Sequence, residues 1–254
     1  MIKIFANQTI IVTGAGKGIG FEICRQLALN GGNVILNDVD KILAENAAKK
    51  IRDENGNCIA FSGDASNIDF IQYMVDEAVL KFGALNIAIA NAGITSYGDF
   101  MDFKLSDLNE VIKINLVGSF FLAQKAAIQI KKQKSGGSIL FMSSVTGHQA
   151  HKNLAAYGMT KAGLEMLAKS LVIDLSAYQI NINSIAPGAT MTERTVLDTN
   201  YEDAWSKITP LGRPASTYDI ANAALFLVSP SSRHITGQVL IIDGGWTSVS
   251  QSPY

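Results

Sequence analysis

The sequence contains little cysteine and little proline. Its 254 residues include 2 Cys and 5 Pro. Two thiols in a chain of this size do not make a disulfide framework, so we expect Cys24 and Cys58 to be free and buried. The low proline content and the 48% share of hydrophobic residues allow one large core. Because no Pro- or Ser-rich linker divides the chain, we predict a single domain over residues 1–254.

An excess of one charge and a long apolar run are also absent. The formal net charge is −1, which provides no basic surface for a nucleic acid. No run reaches the ~18–20 consecutive apolar residues of a membrane span, and the most apolar one, 85–92, is strand-sized. The N-terminus lacks the apolar segment and cleavage site of a secretory signal. We therefore expect a cytoplasmic protein with a small-molecule partner, no nucleic acid and no membrane.

Short apolar runs alternate along the chain with longer amphipathic stretches. The seven runs, which predict strands, lie at 9–13, 33–37, 58–61, 86–90, 138–143, 180–186 and 239–242. The amphipathic stretches, which predict helices, lie near 18–30, 40–55, 66–82, 105–134, 154–177 and 217–229. This alternation predicts an α/β fold: a doubly wound, seven-stranded parallel sheet with helices on both faces. The one long segment without clear periodicity, 189–210, is a candidate substrate loop.

A glycine-rich turn joins the first predicted strand to the first predicted helix. Gly14, Gly18 and Gly20 form the pattern G-x-x-x-G-x-G. Glycines at such a turn let the backbone approach a pyrophosphate that sits at the helix N-terminus. Taken alone, the run also fits a structural turn or a methyltransferase loop. Its position between a strand and a helix favours a dinucleotide.

The second predicted strand is followed by Asp38, where a carboxylate would accept hydrogen bonds from the adenine-side ribose. A phosphate on that ribose would meet Asp38 at a cost of roughly 4 kcal/mol per like-charge pair at about 4 Å. Asp38 therefore favours NAD(H), with NADP(H) as the alternative because the Lys17 cation could offset such a phosphate. Asp38 could instead be a turn residue or a helix cap, and Lys17 could simply face solvent.

Tyr157 and Lys161 are spaced i, i+4 at the start of a predicted helix, so both side chains share one face. A free Tyr titrates near ~10, and a fixed cation lowers that pKa by favouring phenolate. The pair could therefore act as an acid/base for a carbinol, with hydride transfer left to a cofactor. Ser144 directly follows the predicted strand 138–143, at the carboxyl edge of the sheet, and could orient a substrate oxygen. Each residue also has an ordinary interpretation, as packing, surface charge or cap, and the spacing of the pair by itself is near chance.

Together these motifs resemble the short-chain dehydrogenase/reductase family from Thr9 to about Trp246, nearly the whole chain. The resemblance implies a Rossmann-fold, NAD(P)-binding catalytic domain and an oxidoreductase. It implies a catalytic tetrad of Asn115, Ser144, Tyr157 and Lys161, in which Asn115 holds a water in a proton relay to the lysine. The departure from the family pattern is Ala90, where many members carry a second Asn before Asn-Ala-Gly.

The same resemblance implies the cofactor contacts. The glycine loop, the Asp after the third strand, the Asn-Ala-Gly after the fourth and the Pro-Gly segment after the sixth all match the family. The cofactor-binding residues expected in this sequence are Gly14, Lys17, Gly18, Ile19, Gly20, Asp38, Asp64, Ala65, Asn91, Ala92, Gly93, Tyr157, Lys161, Pro187, Gly188, Thr190 and Thr192. Members are usually homodimers or homotetramers joined through the helices at 105–134 and 154–177, so we expect the same here.

The leading interpretation is an NAD(H)-dependent dehydrogenase for a secondary alcohol or ketone such as a sugar, polyol or steroid. The alternative within enzymes is an NADPH-dependent 3-oxoacyl-thioester reductase; a non-catalytic dinucleotide-binding regulator is a remote third. His148 and His151 favour a surface loop over a metal site, so we predict no metal. The substrate-determining segments, 145–153 and 189–210, carry no interpretable signature, and Arg194 is their single evident anion-binding candidate.

Overall fold

A computed structural model describes residues 3–250; the ends of the predicted domain, 1–2 and 251–254, lie outside the described residues. A seven-stranded parallel sheet has the order β3-β2-β1-β4-β5-β6-β9. Its strands are β1 (Thr9–Val12), β2 (Asn33–Asp38), β3 (Asn57–Ser62), β4 (Ile87–Ala90), β5 (Gly137–Met142), β6 (Ile180–Pro187) and β9 (Val239–Ile242). The predicted sheet is confirmed, with all seven strands in place.

Helices cover both faces of this sheet. They are α1 (Gly18–Leu29), α2 (Lys41–Asp53), α3 (Ile68–Phe82), α4 (Leu105–Ile112), α5 (Gly118–Gln133), α6 (Ala155–Leu175), α7 (Tyr201–Ile208) and α8 (Thr217–Val228). One core cluster joins α1, α2 and α8 to the sheet, and a second joins α3, α5 and α6 to its other face. Alternate residues of β1 enter different clusters: Ile10 and Val12 the first, Ile11 the second. Both faces of a strand are therefore buried, which is why the strands are continuously apolar.

The chain reverses its direction of winding between β1 and β4. From β1 it proceeds outwards to β2 and β3, then crosses back so that β4 pairs with the free side of β1. Ligands of doubly wound sheets bind at the carboxyl ends of the two strands that flank such a reversal. The glycine-rich turn after β1 and the segment Asn91–Gly93 after β4 therefore lie at the expected ligand crevice.

One helical stretch, predicted as a single helix over 105–134, contains a π-turn. Between α4 and α5 the residues Lys113–Val117 are wound as a π-helix, and the Gly118 N–H donates to the Lys113 carbonyl five residues earlier. Leu105–Gln133 is long and apolar enough to span a membrane by length and composition, with a mean hydropathy of 1.4 in its most apolar window. Its buried side, including Leu122, Ala126 and Ile130, packs on the sheet, as in a core helix.

The segment 189–210 contains more regular structure than its sequence predicts. Thr190–Met191 forms a short strand, β7, that pairs in parallel with β8 (Ala215–Ser216). Thr195–Leu197 forms a 3-10 turn, and α7 follows at Tyr201–Ile208. The candidate substrate loop thus contains a short strand, a 3-10 turn and a helix.

Both cysteines are free, as predicted. Cys24 lies on α1 and Cys58 on β3, with exposed fractions of 0% and 1%. Burial raises the pKa of the Cys58 thiol to about 12 and the pKa of the Cys24 thiol well above its ordinary value. Neither thiol ionises near neutral pH, so both act as small apolar side chains.

Candidate active site

The glycine-rich turn is packed too closely for side chains. Gly14 has a φ of +60°, and a Cβ there would lie 2.7 Å from the Ala92 Cα. A Cβ on Gly20 would lie 2.5 Å from the Asn91 Nδ2 and 2.7 Å from the Gly14 carbonyl oxygen. Gly18, with a φ of +62°, has only side-chain atoms near its Cβ position, the nearest at 3.8 Å. Two glycines therefore permit close packing and the third keeps an open side, which is the cradle that a pyrophosphate requires.

Asn91 holds this turn in place. Its Nδ2 donates to the carbonyl oxygens of Thr13 and Gly14, at 2.9 and 2.7 Å. The Thr13 hydroxyl in turn accepts from the backbone N–H groups of Asn91 and Ala92. Thr13 was not among the predicted site residues, although its place directly before Gly14 is a signal. The Asn-Ala-Gly segment thus fixes the shape of the glycine turn.

Asp38 reaches across to the glycine turn from the end of β2. Its Oδ2 accepts the Gly16 N–H at 2.9 Å and its Oδ1 accepts the Asp40 N–H at 3.1 Å. The cap of α2 is Asp40, whose carboxylate accepts from two backbone N–H groups of the first helical turn. Asp38 therefore lies beside the cradle and is not the helix cap. Lys17 is exposed at the start of α1 and has no carboxylate partner among residues 3–250.

Asp64 and Ala65 lie at the same edge of the sheet, after β3. The Asp64 carboxylate accepts from the Ser66 N–H and hydroxyl, and its second oxygen pairs with the Lys113 ammonium at 3.1 Å. These contacts hold the pKa of Asp64 below its ordinary value, the Ser66 hydroxyl most strongly. The Ala65 carbonyl oxygen lies so near the π-turn that a Cβ on Gly118 would stand 2.6 Å from it.

A cavity of about 310 Å³ opens at the carboxyl ends of β4, β5 and β6. Ser144, Tyr157 and Lys161 line it together. Its other walls contain the predicted cofactor residues Ile19, Asn91, Gly93, Pro187, Gly188, Thr190 and Thr192. Residues separated by more than 170 positions in the sequence thus meet in one pocket. The other predicted cofactor residues lie outside its walls, along the adjoining edge of the sheet; they are Gly14, Lys17, Gly18, Gly20, Asp38, Asp64, Ala65 and Ala92.

Lys161 is a buried cation at the base of this cavity. It is 4% exposed, and its Nζ donates to the Met142 carbonyl oxygen at 2.7 Å. Burial lowers the pKa of the Lys161 ammonium to about 8. A Cβ on Gly93 would lie 3.3 Å from the Nζ and 3.2 Å from the Asn115 Oδ1. Gly93 therefore leaves room for the ammonium and for the asparagine behind it.

The Tyr157 side chain lines the cavity, with its ring centroid 5.5 Å from the Lys161 Nζ. Burial raises the pKa of Tyr157 above its ordinary value. Hydrogen bonding with Ser144 and with Thr95 lowers it in part, and so does the positive charge of Arg194. Burial outweighs these three contributions, none of which comes from Lys161, so the protein itself does not provide the depressed phenol pKa that the sequence suggests.

Asn115 occupies the middle of the π-turn and is fully buried. Its side chain joins three parts of the site: the Nδ2 donates to the Ile94 carbonyl and to the Thr160 hydroxyl, and the Oδ1 accepts the Ile94 N–H. Its backbone carbonyl, displaced by the π-turn, accepts from the Ser119 hydroxyl at 2.8 Å. Asn115 thus ties the helix to the β4 edge and to α6, next to Lys161.

The two histidines point to different partners. His148 lies 3.0 Å from the buried Glu165 carboxylate, which also accepts from the Ser143 hydroxyl. His151 lines the cavity and stacks on Trp246, with ring centroids 5.1 Å apart. Burial lowers the pKa of His151, so that it is neutral at pH 7. Among residues 3–250, no group of three or more His, Cys, Asp or Glu side chains is placed to hold a metal ion.

The segment 189–210 closes the outer side of the cavity with aromatic rings. The ring centroids of Tyr201 and Trp205 are 6.1 Å apart. Those of Trp205 and Trp246 are 5.4 Å apart, and these two rings pack edge to face. The Tyr201 hydroxyl accepts the Thr190 N–H at 3.2 Å, which attaches α7 to β7. Tyr201 and Trp205 line the cavity, and Trp246 contacts Trp205.

Comparison with known proteins gives a consistent result. The family model described as Enoyl-(Acyl carrier protein) reductase matches residues 14–247. The 3-oxoacyl-[acyl-carrier-protein] reductase FabG of Chlamydia muridarum (strain MoPn / Nigg) is 34% identical over 247 residues, 96% of this chain and 99% of that protein.

Two solved structures superpose closely. The first is a gluconate 5-dehydrogenase from Burkholderia cenocepacia J2315 in complex with NADP and tartrate; it has a TM-score of 0.90 and 31% identity and covers 98% of both chains. The second is a 7α-hydroxysteroid dehydrogenase complexed with NADH and 7-oxo glycochenodeoxycholic acid. It has a TM-score of 0.90 and 31% identity and covers 96% of both chains.

The doubly wound sheet has a glycine cradle where its winding reverses. Beside the cradle is a pocket lined by Ser144, Tyr157 and Lys161. This combination defines a dinucleotide-dependent oxidoreductase. The chain belongs to the short-chain dehydrogenase/reductase family. It acts on CH–OH groups and uses a nicotinamide dinucleotide, NAD(H) or NADP(H).

Proposed function

We propose that the chain interconverts a secondary alcohol and a ketone with Tyr157 as acid/base, Lys161 and Ser144 as its partners, and Asn115 as support for a proton relay. The observation that carries this proposal is the joint position of Ser144, Tyr157 and Lys161 on one cavity wall at the sheet edge. The bound dinucleotide supplies or accepts the hydride. Tyr157 gives its proton to the carbonyl oxygen during reduction and takes it from the hydroxyl during oxidation.

The neighbours of Tyr157 support these roles. Ser144 and Thr95 lie close enough to the phenol to lower its pKa, and Ser144, whose hydroxyl donates to the Thr146 hydroxyl at 3.1 Å, lines the same cavity, so a substrate oxygen that meets Tyr157 would also lie near Ser144. The Lys161 ammonium is held by the Met142 carbonyl and faces the same cavity, where a ribose hydroxyl of the dinucleotide would bind. The charge of Arg194 already lowers the pKa of the phenol, and an oxidised nicotinamide would add to that effect.

Replacing the phenol tests the assignment. Tyr157→Phe keeps the ring and removes the proton donor, so we expect kcat to fall by about 10²-fold or more, with NADH binding retained. The matched control is Tyr218→Phe, at an exposed position on α8 outside the cavity, which should turn over normally. Near-normal turnover by Tyr157→Phe in a panel of sugars, polyols, steroids and 3-oxoacyl thioesters would reject the role.

We further propose a preference for NAD(H). The Asp38 carboxylate, held by the Gly16 and Asp40 N–H groups, lies at the end of β2 where the adenine-side ribose would bind, and a ribose phosphate would meet its charge. Asp38→Asn keeps a hydrogen-bond acceptor and removes the charge. We expect it to shift the NADH/NADPH ratio of kcat/KM towards NADPH by roughly 10-fold or more. An unchanged ratio would contradict the preference.

A second candidate is an NADPH-dependent 3-oxoacyl-thioester reductase, because the Chlamydia muridarum relative of that name matches 96% of the chain. Initial rates with NADPH and a 3-oxoacyl thioester, compared with NADH and small ketones, separate the two. We also propose that the chain is a single Rossmann-fold domain that forms a cytoplasmic homodimer or homotetramer, with no nucleic-acid or membrane partner and no metal.

A further inference from the structure

Arg194 is a charged residue of the cavity that the proposed chemistry leaves unused. It follows β7 and lines the same cavity as Tyr157 and Tyr201. Its positive charge lowers the pKa of both phenols. Among residues 3–250, no carboxylate lies within 4.0 Å of its guanidinium, and no Asp or Glu lines the cavity.

Arg194 is an exposed residue that lines this cavity, and its charge acts on the Tyr157 and Tyr201 phenols, which assigns the guanidinium to the reacting end rather than to the pyrophosphate end. Its neighbour Glu193 turns the other way: the Glu193 Oε2 is 3.8 Å from the Cβ position of Gly18, and Glu193 lines a separate recess with Gly16. Arg194, in contrast, shares its cavity with the catalytic phenol and the aromatic rings of α7. The side chains of Glu193 and Arg194 therefore lie at different ends of the crevice.

The other groups at this end offer no counter-charge. Lys161 is a second cation at the cavity base, and His151 is neutral because burial lowers its pKa. Thr95, Thr146 and Ser144 supply hydroxyls. A ligand in this space meets a net positive charge, hydroxyl groups and aromatic walls, in the part of the cavity of about 310 Å³ that a bound nicotinamide would leave free, so the ligand must be small.

We propose that the substrate carries a carboxylate on the same carbon chain as its reacting carbonyl or hydroxyl group, and that Arg194 binds this carboxylate. A guanidinium matches a carboxylate with two parallel hydrogen bonds, which also orients the chain. The substrate class is a small oxo acid or hydroxy acid. This inference rests on the proposed function, since Tyr157 defines which end of the cavity reacts.

Matched pairs of ligands test it. The probes are 2-oxobutanoate, 3-oxobutanoate and 4-oxopentanoate, each with its methyl ester, titrated calorimetrically into the protein with saturating NAD⁺ and, separately, NADP⁺, so that no hydride is available and the heat reports binding alone. We expect at least one acid to bind roughly 10- to 100-fold more tightly than its ester, the range of a charge-assisted hydrogen-bonded pair. Arg194→Gln should reduce that preference to less than about 2-fold, and Arg194→Lys, which keeps the charge without the fork, should retain part of it.

The matched control is Arg233→Gln, an exposed arginine beyond α8 and outside the cavity, which should leave the preference unchanged. Equal binding of acids and esters by the unmodified protein would overturn the inference, and so would an acid preference that survives Arg194→Gln. A variant that loses NADH affinity while keeping the acid preference would assign the guanidinium to the dinucleotide, which also overturns it.

Binding separates this inference from the proposed reaction. If oxo acids bind preferentially and none is reduced, the carboxylate site stands and the assignment of the reaction fails. If neutral ketones are turned over through Tyr157 without any acid preference, the reaction stands and the carboxylate site fails.

Discussion

Lys161 makes stability depend on pH, because it is a cation buried in the protein core. Its ammonium pKa is lowered by burial to about 8, against 10.5 for the free side chain. Between these values the unfolded chain binds more protons than the folded protein, so the free energy of unfolding rises with pH. Below pH 8 both states hold the proton and the full cost of burying the charge is present. Above that pH the folded protein loses the proton, and with it the cost of burying the charge.

We therefore expect the wild type to gain stability relative to Lys161→Met as the pH rises from 8 to 9.5, by about 1.5 kcal/mol in the absence of dinucleotide. Urea unfolding of both proteins at intervals over this range measures the difference. The raised pKa of Tyr157 acts only near and above pH 10, outside the window. A difference that stays constant or falls with pH would show that Lys161 keeps its proton in the folded protein.

At the level of secondary structure, the π-turn positions Asn115. The turn places the asparagine side chain between the Ile94 backbone and Thr160, and all of these contacts are buried or partly buried. Thr160 is fully buried on α6, one residue before Lys161, and its hydroxyl donates to the Tyr157 carbonyl while it accepts from Asn115. The threonine hydroxyl therefore joins the π-turn to the helix that carries Tyr157 and Lys161.

Thr160→Val keeps the shape of the side chain and removes both hydrogen bonds. It leaves the Asn115 Nδ2 with a single partner, so we expect a loss of roughly 1–3 kcal/mol in the free energy of unfolding. Ser170→Ala is the control on the same helix, because its hydroxyl donates to the Met166 carbonyl at an exposed site; it should change stability by less than about 0.5 kcal/mol. Similar losses for both variants in urea unfolding would contradict the linking role of Thr160.

Sequence reasoning predicted the elements of this fold because each has a local signal. The strands are continuously apolar, as in Ile10–Val12, and the glycine turn follows directly after one of them. The π-turn has no such signal: its i→i+5 winding is stabilised by Ile94 and Thr160, which are distant in sequence. In α7, Tyr201, Trp205 and Ile208 do follow helical spacing, but over only eight residues, too short to separate from a loop.

The candidate site divides in the same way. Ser144, Tyr157 and Lys161 were found because they follow a family pattern, and the structure brings them to one cavity. Thr95 lies near the phenol only in the folded chain, and no spacing in the sequence relates the two residues. Likewise, no pattern in the sequence shows that Glu193 and Arg194, which are adjacent, would line different recesses.

For the whole molecule, the outer surface of α5 and α6 bears on assembly. Phe120 and Ile128 are 41% and 57% exposed on α5, beside a groove of about 340 Å³ between the two helices. Apolar patches of this kind on soluble domains commonly mark interfaces. These are the helices through which the family resemblance implies that copies of the chain associate.

We expect Ile128→Glu to convert the expected dimer or tetramer into smaller species, because the substitution buries an unpaired carboxylate in the interface. Light scattering coupled to size exclusion measures the mass at micromolar concentration. Leu80→Glu, at a 77% exposed position on α3, changes the same charge away from this groove and should leave the mass unaltered. A wild-type protein with the mass of one chain would contradict the expected assembly.

The burial of Cys24 and Cys58 has a practical consequence for experiments on this protein. Because each thiol is at most 1% exposed and its pKa is raised, an alkylating reagent modifies it only after the surrounding core has opened. The rate of alkylation therefore measures how often the core around β3 and α1 opens. These two elements adjoin β2, which ends at Asp38. A dinucleotide or substrate that binds the native form would slow the labelling in proportion to its occupancy, which makes the two native thiols an intrinsic reporter of ligand binding without any added probe.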